Sequence, residues 1–354
     1  MQRVDGVIQQ YAWGDLTEIP RFLGAEPDGN PQAELWFGTH AGAPAHLADG
    51  TTLQSLVGPL PYLVKILAAA EPLSLQVHPS SAQAAAGFAR ENAAGIALDS
   101  PHRTYSDPFH KPELLCALTP FEALCGVAPL EQTETLLAEL GHPAAVLRSE
   151  LQQGGIKAVI AFVLQRRPAL APLLDAAAHH PDPRCRWLTR LSQLHPGDPS
   201  AAIVLLLNYV ALEPGEAIYL GAGNLHAYLG GTGIEVMASS DNVVRGGLTS
   251  KFVDADEVLR VLDTTPLVDP VVRPQHATDG GLAYPVPVPD FRVAMYEIDG
   301  SVSFVADGPE LLVCTRGETV QVGRGQCVVA VDGEAVELVG TATVCRVGGR
   351  AAHP

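Results

Sequence analysis

The sequence predicts a mainly β protein in which an α-helical module lies between two β regions. Three observations predict this fold class. Up to about Val127, short apolar runs such as AELWFGTH and PYLVKILAA are bounded by Gly, Pro and Asp, which is typical of strands joined by tight turns. A helical period of apolar residues then occupies about residues 128–208. Strand patterns return at Glu213 and dominate the end of the chain.

The length of the chain sets the number of domains that we expect. With 354 residues, the chain is long enough for two or three domains with substantial cores. Because β segments flank the helical block, the simplest arrangement inserts the helices into a β domain or appends them to it. We therefore expect a first β domain formed by residues 1–127 and 209–264, a helical domain over residues 128–208, and a second β domain over residues 265–354.

The helical module is predicted from the spacing of its leucines. In LEQTETLLAELG, four leucines (Leu130, Leu136, Leu137 and Leu140) follow a helical period that stops at Gly141. Three further segments, IKAVIAFVLQRR, LAPLLDAAA and CRWLTRLSQL, continue the pattern with prolines between them. We expect a set of short helices separated by turns.

The end of the chain has the pattern of a small all-β unit. The segment ELLVCTRGETVQVGRGQCVVAVDGEAVELVGTATVCRV predicts four or five short strands with glycine turns. Such a series is typical of a β sandwich or barrel, and the two β regions could be related halves.

Net charge limits the classes of partner. The formal charge of −17 comes from 39 acidic and 22 basic residues, so the field of the protein repels nucleic acid and anionic membranes. An anionic substrate must therefore meet local positive charge. Lys65, Lys111 and Lys251 all lie in motif-like blocks, although a lysine is more often a solvated surface charge. We expect a small-molecule substrate and see no sign of an obligate protein partner.

Cysteine usage and hydropathy indicate the compartment. The six cysteines include no CxxC pair, which favours a reducing environment. The first ten residues, MQRVDGVIQQ, have no apolar signal-like region, and the longest apolar run, residues 201–212, is too short to span a bilayer. We expect a cytoplasmic protein.

Candidate metal ligands come from an alternating strand. In LSLQVHPS, the side chains of Ser74, Gln76 and His78 share one face, opposite an apolar face. Two other strand-like segments offer partners, Glu113 in HKPELLCAL and His226 in GNLHAYL. A four-ligand zinc site would result from Gln76, His78, Glu113 and His226, with room for water or substrate if the coordination expands. Each histidine taken alone is also typical of a hydrogen-bonded core or surface residue.

The region around His226 allows further interpretations. GAGNLHAYLGG begins like a dinucleotide-binding loop, but the third glycine is missing and no helix follows, which excludes that function. The next passage, GTGIEVMASSDNVVRGGLTSKF, contains Glu235, Asp241, Arg245 and Lys251. Its composition favours a flexible surface loop, but beside a metal ligand it could carry acid–base and anion-binding groups. Elsewhere, His40 in FGTHAG is interpreted as a turn residue.

The motifs as a set resemble the type I mannose-6-phosphate isomerases, which are zinc enzymes of the cupin superfamily. The resemblance covers about residues 11–254 and is weakest in the helical module. It rests on these blocks: YAWGD, AELWFGTH, PYLVKIL, PLSLQVHPS, GFARENAAGI, HKPELLCALTPFEALCG and PGEAIYLGAGNLHAYLGGTGIEVMASSDNVVRGGLTSKF. It implies a cupin-type jelly-roll catalytic domain with an inserted helical domain and a second, cupin-like β domain at the C-terminus.

The resemblance also implies site residues. The family's zinc ligands match Gln76, His78, Glu113 and His226, with one zinc ion per chain, and its proposed catalytic arginine matches Arg245. Related sequences often continue QVHP with a polar residue and then a lysine, whereas this chain has Ser80 and Ser81. Any role of that lysine in phosphate binding or proton transfer is therefore absent here. Other residues are candidates for that role: Lys65, Lys111 and Lys251.

The implied reaction is the interconversion of mannose 6-phosphate and fructose 6-phosphate through a cis-enediol, which would feed mannose metabolism and the supply of GDP-mannose. Arg245 suits the charged enediolate oxygens. For proton transfer Glu235 is the first candidate, with Lys111, His110 and Asp241 as rivals. The remaining candidates bind the phosphate (Ser74, Lys65 and Lys251) or line the sugar pocket (Trp13 and Tyr228).

Two other functions remain open at this point. Two histidines and a glutamate can also hold iron in a cupin oxygenase, and a third option is a non-catalytic protein that binds a sugar phosphate. Gln76 as a fourth ligand and the segment around Arg245 argue against the oxygenase. A regulator would be expected to carry a DNA-binding or partner-binding module, and the sequence indicates none.

Overall fold

The computed structural model describes residues 1–349, and residues 350–354 at the end of the predicted second β domain lie outside the described residues. The strands are β1 (Gln2–Asp5), β2 (Val7–Gln9), β3 (Glu34–Gly38), β4 (His46–Leu47), β5 (Tyr62–Ala69), β6 (Leu75–Val77), β7 (Glu113–Ala117), β8 (Phe121–Val127), β9 (Leu207–Leu212), β10 (Ala217–Leu220), β11 (His226–Ala238), β12 (Val244–Gly247), β13 (Val271–Val272), β14 (Gln275–His276), β15 (Leu282–Tyr284), β16 (Arg292–Val305), β17 (Glu310–Thr319), β18 (Cys327–Ala330) and β19 (Ala335–Gly348). The α-helices are α1 (Glu18–Leu23), α2 (Leu53–Val57), α3 (Ser81–Ala93), α4 (Leu130–Glu139), α5 (Ala145–Ala161), α6 (Ala171–Ala177), α7 (Pro183–Leu194) and α8 (Ala255–Val261). Shorter helical turns are His142–Ala144 and Pro199–Leu206, which are 3-10, and Phe162–Arg166, which is π.

The first sheet is organised around the long strand β11. Its path runs β13-β10-β7-β11-β5-β3-β2, and the strands β6, β8, β9 and β12 join it through β11 or through one another. The first residues of β11 pair with β6 and β8, and its later residues pair with β5 and β7. All these pairs are antiparallel. Four strands that lie far before β11 in the sequence therefore meet along it.

The second sheet contains strands from both ends of the chain. Its order is β14-β15-β16-β19-β17-β18-β1-β4. The N-terminal strand β1 pairs with β18, with Gln2 opposite Val329, and β4 pairs with β1. A cut of the chain at residue 264 would therefore not separate the two sheets.

Alternating burial connects the sheets. Along β5, Tyr62, Val64 and Ile66 lie in the apolar core between the two sheets, together with residues such as Val293 of the second. The intervening residues face the opposite side, where Lys65 is buried. Because both faces of β5 are covered, the strand is apolar throughout with a single charged residue, and this places Lys65 in the interior.

The helical module packs on the outside of the first sheet. The helices α4 to α7 and the turn Pro199–Leu206 share one apolar core with β6 and with the start of β11. The predicted helix is confirmed as α4, and three of the four predicted leucines, Leu136, Leu137 and Leu140, are buried, whereas Leu130 is exposed at its start. Within residues 1–349, the structure contains no helix with both the length and the apolar character that a bilayer crossing needs.

Two expectations about local structure were wrong. The strand-like first region contains α3, which begins with a capping box in which the Ser80 hydroxyl accepts from the Gln83 amide and the Gln83 side chain accepts from the Ser80 amide. The surface-loop interpretation of the passage after His226 is wrong as far as Ala238, because β11 continues to that residue. Its glycines permit close packing: a Cβ at Gly233 would lie 3.0 Å from the Cys116 carbonyl oxygen.

Candidate metal centre and active site

Three potential metal ligands converge where β6, β7 and β11 meet. His226 pairs with Gln76 across the strands, and Glu113 begins β7. Nε2 of His78 lies 3.3 Å from Oε1 of Glu113, and Nε2 of His226 lies 3.7 Å from Oε2 of the same carboxylate. The ligating atoms of these three buried side chains all lie within 4.8 Å of one another.

Backbone carbonyl groups orient both imidazole rings. Nδ1 of His78 lies 2.8 Å from the carbonyl oxygen of Asn242, and Nδ1 of His226 lies 2.9 Å from that of Asn224. A carbonyl oxygen can only accept, so each Nδ1 donates its proton. In the neutral ring the lone pair is then on Nε2, which faces Glu113 and is available to a metal ion.

The electrostatics of the cluster favour a bound cation. Burial opposes ionisation of Glu113, but His78 and Lys111 overcome it and hold the pKa of this carboxyl well below its ordinary value. Burial and the charge of His78 lower the pKa of His226 to about 4, so its ring is neutral at pH 7. Nε2 of His78 is buried and makes no hydrogen bond within residues 1–349. Two imidazole nitrogens and a carboxylate are ligands that zinc takes, and an unpartnered buried nitrogen fits such an ion.

A small cavity opens beside this cluster. We call it the inner cavity; its volume is about 70 Å³. Its lining residues are Glu34, Lys65, Leu67, Leu73, Ser74, Gln76, Lys111, Glu113, His226, Ala227, Tyr228 and Glu235. The Gln76 amide donates to the Ser74 hydroxyl at 3.2 Å, and Lys111 Nζ lies 3.4 Å from Glu113 Oε1. Six other residues that the sequence nominated therefore meet Glu113 and His226 at this cavity: Lys65, Ser74, Gln76, Lys111, Tyr228 and Glu235.

Charged residues line the far wall of the inner cavity. Lys65 Nζ lies 3.0 Å from Glu235 Oε2 and 3.4 Å from Glu34 Oε1, and all three side chains are buried. The hydroxyl of Tyr228 donates to Glu235 at 2.8 Å. Burial raises the pKa of Glu235 although the charge of Lys65 opposes the shift, whereas the carboxylates overcome burial and raise the pKa of Lys65. The network is a buried ion pair with one extra carboxylate.

A larger cavity, which we call the outer cavity, has a volume of about 740 Å³. It is lined by Leu98, Asp99, Ser100, Pro101, His102, Arg103, Thr104, Ser106, Asp241, Val243, Arg245, Ser250, Lys251 and Phe252. Arg245 is half-buried, and its backbone pairs with that of Gln76, so the two cavities adjoin the same strand pair. Within residues 1–349, the ion pairs include no carboxylate partner for the side chain of Arg245 or Lys251. Burial and the charge of Arg245 lower the pKa of Lys251.

Besides Arg245 and Lys251, three further nominated residues lie apart from the inner cavity. Nε2 of His110 lies 3.1 Å from both carboxylate oxygens of Asp290, which belongs to the second β region, and His110 lines neither cavity. Trp13 stacks on Tyr11 at a ring distance of 5.7 Å and packs beside the core of the first sheet. Asp241 is exposed and lines only the outer cavity.

The structure also adds residues that the sequence analysis missed. Glu34 lines the inner cavity and accepts from the Trp36 indole at 2.6 Å. His40, interpreted as a turn residue, holds Asp241 with Nε2 at 3.1 Å from the carboxylate, and this hydrogen bond lowers the pKa of Asp241. Asn242 is fully buried, and its amide bonds the backbone of Asp107 and Phe109. Of these three residues, only Asn242 could have been suggested by the sequence, because it lies in SSDN next to the segment that contains Arg245.

A β fold of the cupin type with a buried His–Glu–His cluster beside a charged cavity defines an enzyme of the cupin class, and comparisons with known proteins place it more narrowly. The family model for the type I phosphomannose isomerase catalytic domain matches residues 1–58 and 50–130. The chain is 35% identical to mannose-6-phosphate isomerase of Escherichia coli (strain K12) over 349 residues, which cover 90% of this chain and 89% of that protein. It is 30% identical to mannose-6-phosphate isomerase of Homo sapiens, over 88% of this chain and 86% of the relative.

Solved structures agree with the sequence relatives. A mutant of phosphomannose isomerase from Salmonella typhimurium matches with a TM-score of 0.92 and 32% identity, covering 99% of both chains. A mannose 6-phosphate isomerase bound with zinc and yttrium matches with a TM-score of 0.87 and 30% identity, again covering 99% of both chains. The chain belongs to the type I phosphomannose isomerase family, as the sequence motifs predicted.

Proposed function

We propose that the chain interconverts mannose 6-phosphate and fructose 6-phosphate, with one zinc ion held by Gln76, His78, Glu113 and His226. The observation that carries the proposal is the convergence of His78, Glu113 and His226 on one buried point beside the inner cavity, in a chain of this family. Zinc bound there would polarise the substrate carbonyl as a Lewis acid. The His–Glu–His cluster alone would also suit iron, but the relatives named mannose-6-phosphate isomerase favour isomerisation over oxygenase chemistry.

The phosphate group is assigned to the outer cavity. Lys251 and Arg245 line it without a carboxylate partner within the described residues, in a chain whose net charge is −17. Cations that the protein leaves unneutralised are suited to a phosphate dianion. The backbone of Arg245 pairs with that of Gln76, a proposed zinc ligand. Arg245 is therefore the cation proposed for the enediolate oxygens. Ser74 and Lys65 line the inner cavity instead and are assigned to the sugar.

Proton transfer between C2 and C1 is assigned to a residue of the inner cavity. A base removes the C2 proton to give the cis-enediol and returns it at C1. Glu235 is the first candidate because it is buried, lines the cavity and has a raised pKa, which favours a base near neutrality. Lys111 is the second candidate, since it lines the same cavity. Asp241 is a weaker base because its pKa is lowered, and His110 faces Asp290.

Cytoplasmic location and a role in mannose metabolism, including the supply of GDP-mannose, complete the proposal. All six cysteines are buried and unpaired, as expected of a protein in a reducing compartment.

The first test is isomerisation of mannose 6-phosphate by the purified protein before chelation, after chelation and after zinc is added back. The proposal expects turnover that is lost with the chelator and restored by zinc. Folded, zinc-loaded protein without turnover would overturn it in favour of a binding role. Gln76→Ala should lower zinc occupancy, whereas Arg245→Ala should keep zinc and fold but lose most turnover. Arg316→Ala, at an exposed arginine of the second β region, is the control and should change neither.

A further inference from the structure

A strained turn follows Arg245. Leu248 has φ of +54°, in the left-handed region, although it is not a glycine, and its side chain is 2% exposed in the core shared with the helical module. This conformation costs roughly 1–2 kcal/mol for a residue with a Cβ atom. The pairing of β12 with β6 is also irregular between Arg245 and Gly247. The backbone between Arg245 and Leu248 therefore needs external support.

The helical module supplies that support. The amide of Leu248 donates to Oδ2 of Asp198 at 2.9 Å and to the hydroxyl of Ser200 at 3.0 Å. Oδ1 of Asp198 accepts from the amide and hydroxyl of Ser200. The approach is close, because a Cβ at Gly247 would lie 2.0 Å from Ser200 Oγ. Asp198 thus begins the turn Pro199–Leu206 and holds the strained turn with the same carboxylate.

The supported turn joins two cations. Arg245 precedes it, Lys251 follows it, and both line the outer cavity. Burial and the charge of Arg245 both lower the pKa of Lys251. The two positive charges therefore repel each other. Within the described residues, no acidic side chain forms an ion pair with either of them. Their spacing is therefore set by the backbone between them.

We propose that Asp198, together with Ser200, is a positioning residue of the helical module that fixes the spacing of Arg245 and Lys251 for a phosphate-bearing substrate. The inference rests on the proposed function, since it concerns the same anion site. It gives the helical module a part in substrate binding although none of the residues that line the two cavities lies in residues 128–208.

The test measures inhibition by inorganic phosphate, the KM for mannose 6-phosphate, zinc content and thermal stability. Asp198→Ala should raise the phosphate inhibition constant and the KM by on the order of tenfold, because hydrogen bonds to a charged group are lost, with zinc content unchanged. Ser200→Ala keeps the carboxylate and should give a smaller rise, about twofold to threefold. This milder variant keeps the inference testable if Asp198→Ala does not fold.

Asp182→Ala is the matched control. Asp182 also caps a helix of the module, α7, by accepting from the Arg184 amide, but it bonds no part of the turn at Gly247 and Leu248. It should lower thermal stability without changing phosphate inhibition. If Asp198→Ala and Ser200→Ala lower stability but leave both constants at the wild-type values, the inference is wrong. If the wild type itself shows neither turnover nor phosphate inhibition, the proposed function fails first and the inference fails with it.

Discussion

The two β regions each bury a glutamate at the first residue of a strand, but they surround it differently. Glu310, which begins β17, is held by Arg346 through two hydrogen bonds of 2.8 and 3.0 Å, one to each carboxylate oxygen. Glu113, which begins β7, faces two histidines, and a buried nitrogen of one of them, His78, makes no hydrogen bond to any residue that the structure describes. The first carboxylate is neutralised within the protein, and the second keeps coordinating capacity for a ligand.

Strand pairs elsewhere in the two regions also differ. In the second β region, Cys314 of β17 pairs with Val344 of β19, and both lie in an apolar cluster. In the first, the equivalent kind of inward pair between neighbouring strands is Lys65 of β5 with Glu235 of β11. A similar β architecture therefore gives a packed core or a charged cavity, according to which inward positions carry polar residues.

The largest effect is expected when the two glutamates are each changed to glutamine. Glu113→Gln removes the anionic ligand between the histidines, and we expect it to lose bound zinc and at least about 100-fold in turnover. Glu310→Gln should destabilise the protein by about 1–3 kcal/mol, because Arg346 loses a charged partner, while turnover of the folded protein stays near wild type. Metal analysis and steady-state assays measure both. Zinc retained in full by Glu113→Gln would contradict the comparison.

A second prediction turns the charged pair of the first region into an apolar pair like that of the second. Lys65→Met leaves Glu34 and Glu235 buried without their cation, and we expect a loss of about 3–5 kcal/mol in the free energy of unfolding. The double variant Lys65→Met with Glu235→Leu should recover part of this loss, because one of the two uncompensated carboxylates is gone. Urea denaturation measures the difference. We expect neither variant to have turnover. A double variant that is less stable than Lys65→Met would contradict the prediction, because removing Glu235 would then have restored no stability.

The alternation in LSLQVHPS predicted that His78 faces other polar groups, and the structure places His78 beside Glu113 and His226. The same alternation could have predicted that Lys111 faces the cavity and that His110 does not. Residues two apart in an extended segment face the same side, so Lys111 and Glu113 share the cavity while His110 points to Asp290. The capping box at Ser80 and Gln83 could likewise have predicted α3.

Other parts of the site depend on pairing between distant strands. Glu34 reaches the cavity because β3 lies beside β5, with Trp36 opposite Lys65, and no spacing in the sequence indicates that neighbour. The same holds for the contact between Asp198 and Leu248, which are 50 residues apart. The composition of residues 231–238 suggested a loop because the glycines that allow close strand packing are the same residues that favour turns.

The smallest predicted effect concerns pH and again separates the two regions. In the metal-free protein, the pKa of His226 is lowered to about 4 from an ordinary 6.5, so between these values the unfolded chain binds more protons than the folded one. The free energy of unfolding should therefore fall as the pH is lowered from about 6.5 to about 4, by at most about 3 kcal/mol from this residue. His226→Gln should flatten this part of the stability curve, whereas His276→Gln, at an exposed histidine of β14, should leave it unchanged. Chemical denaturation of the chelator-treated variants at several pH values gives the slopes, and equal slopes for wild type and His226→Gln would mean that the ring is not held neutral by its burial beside His78.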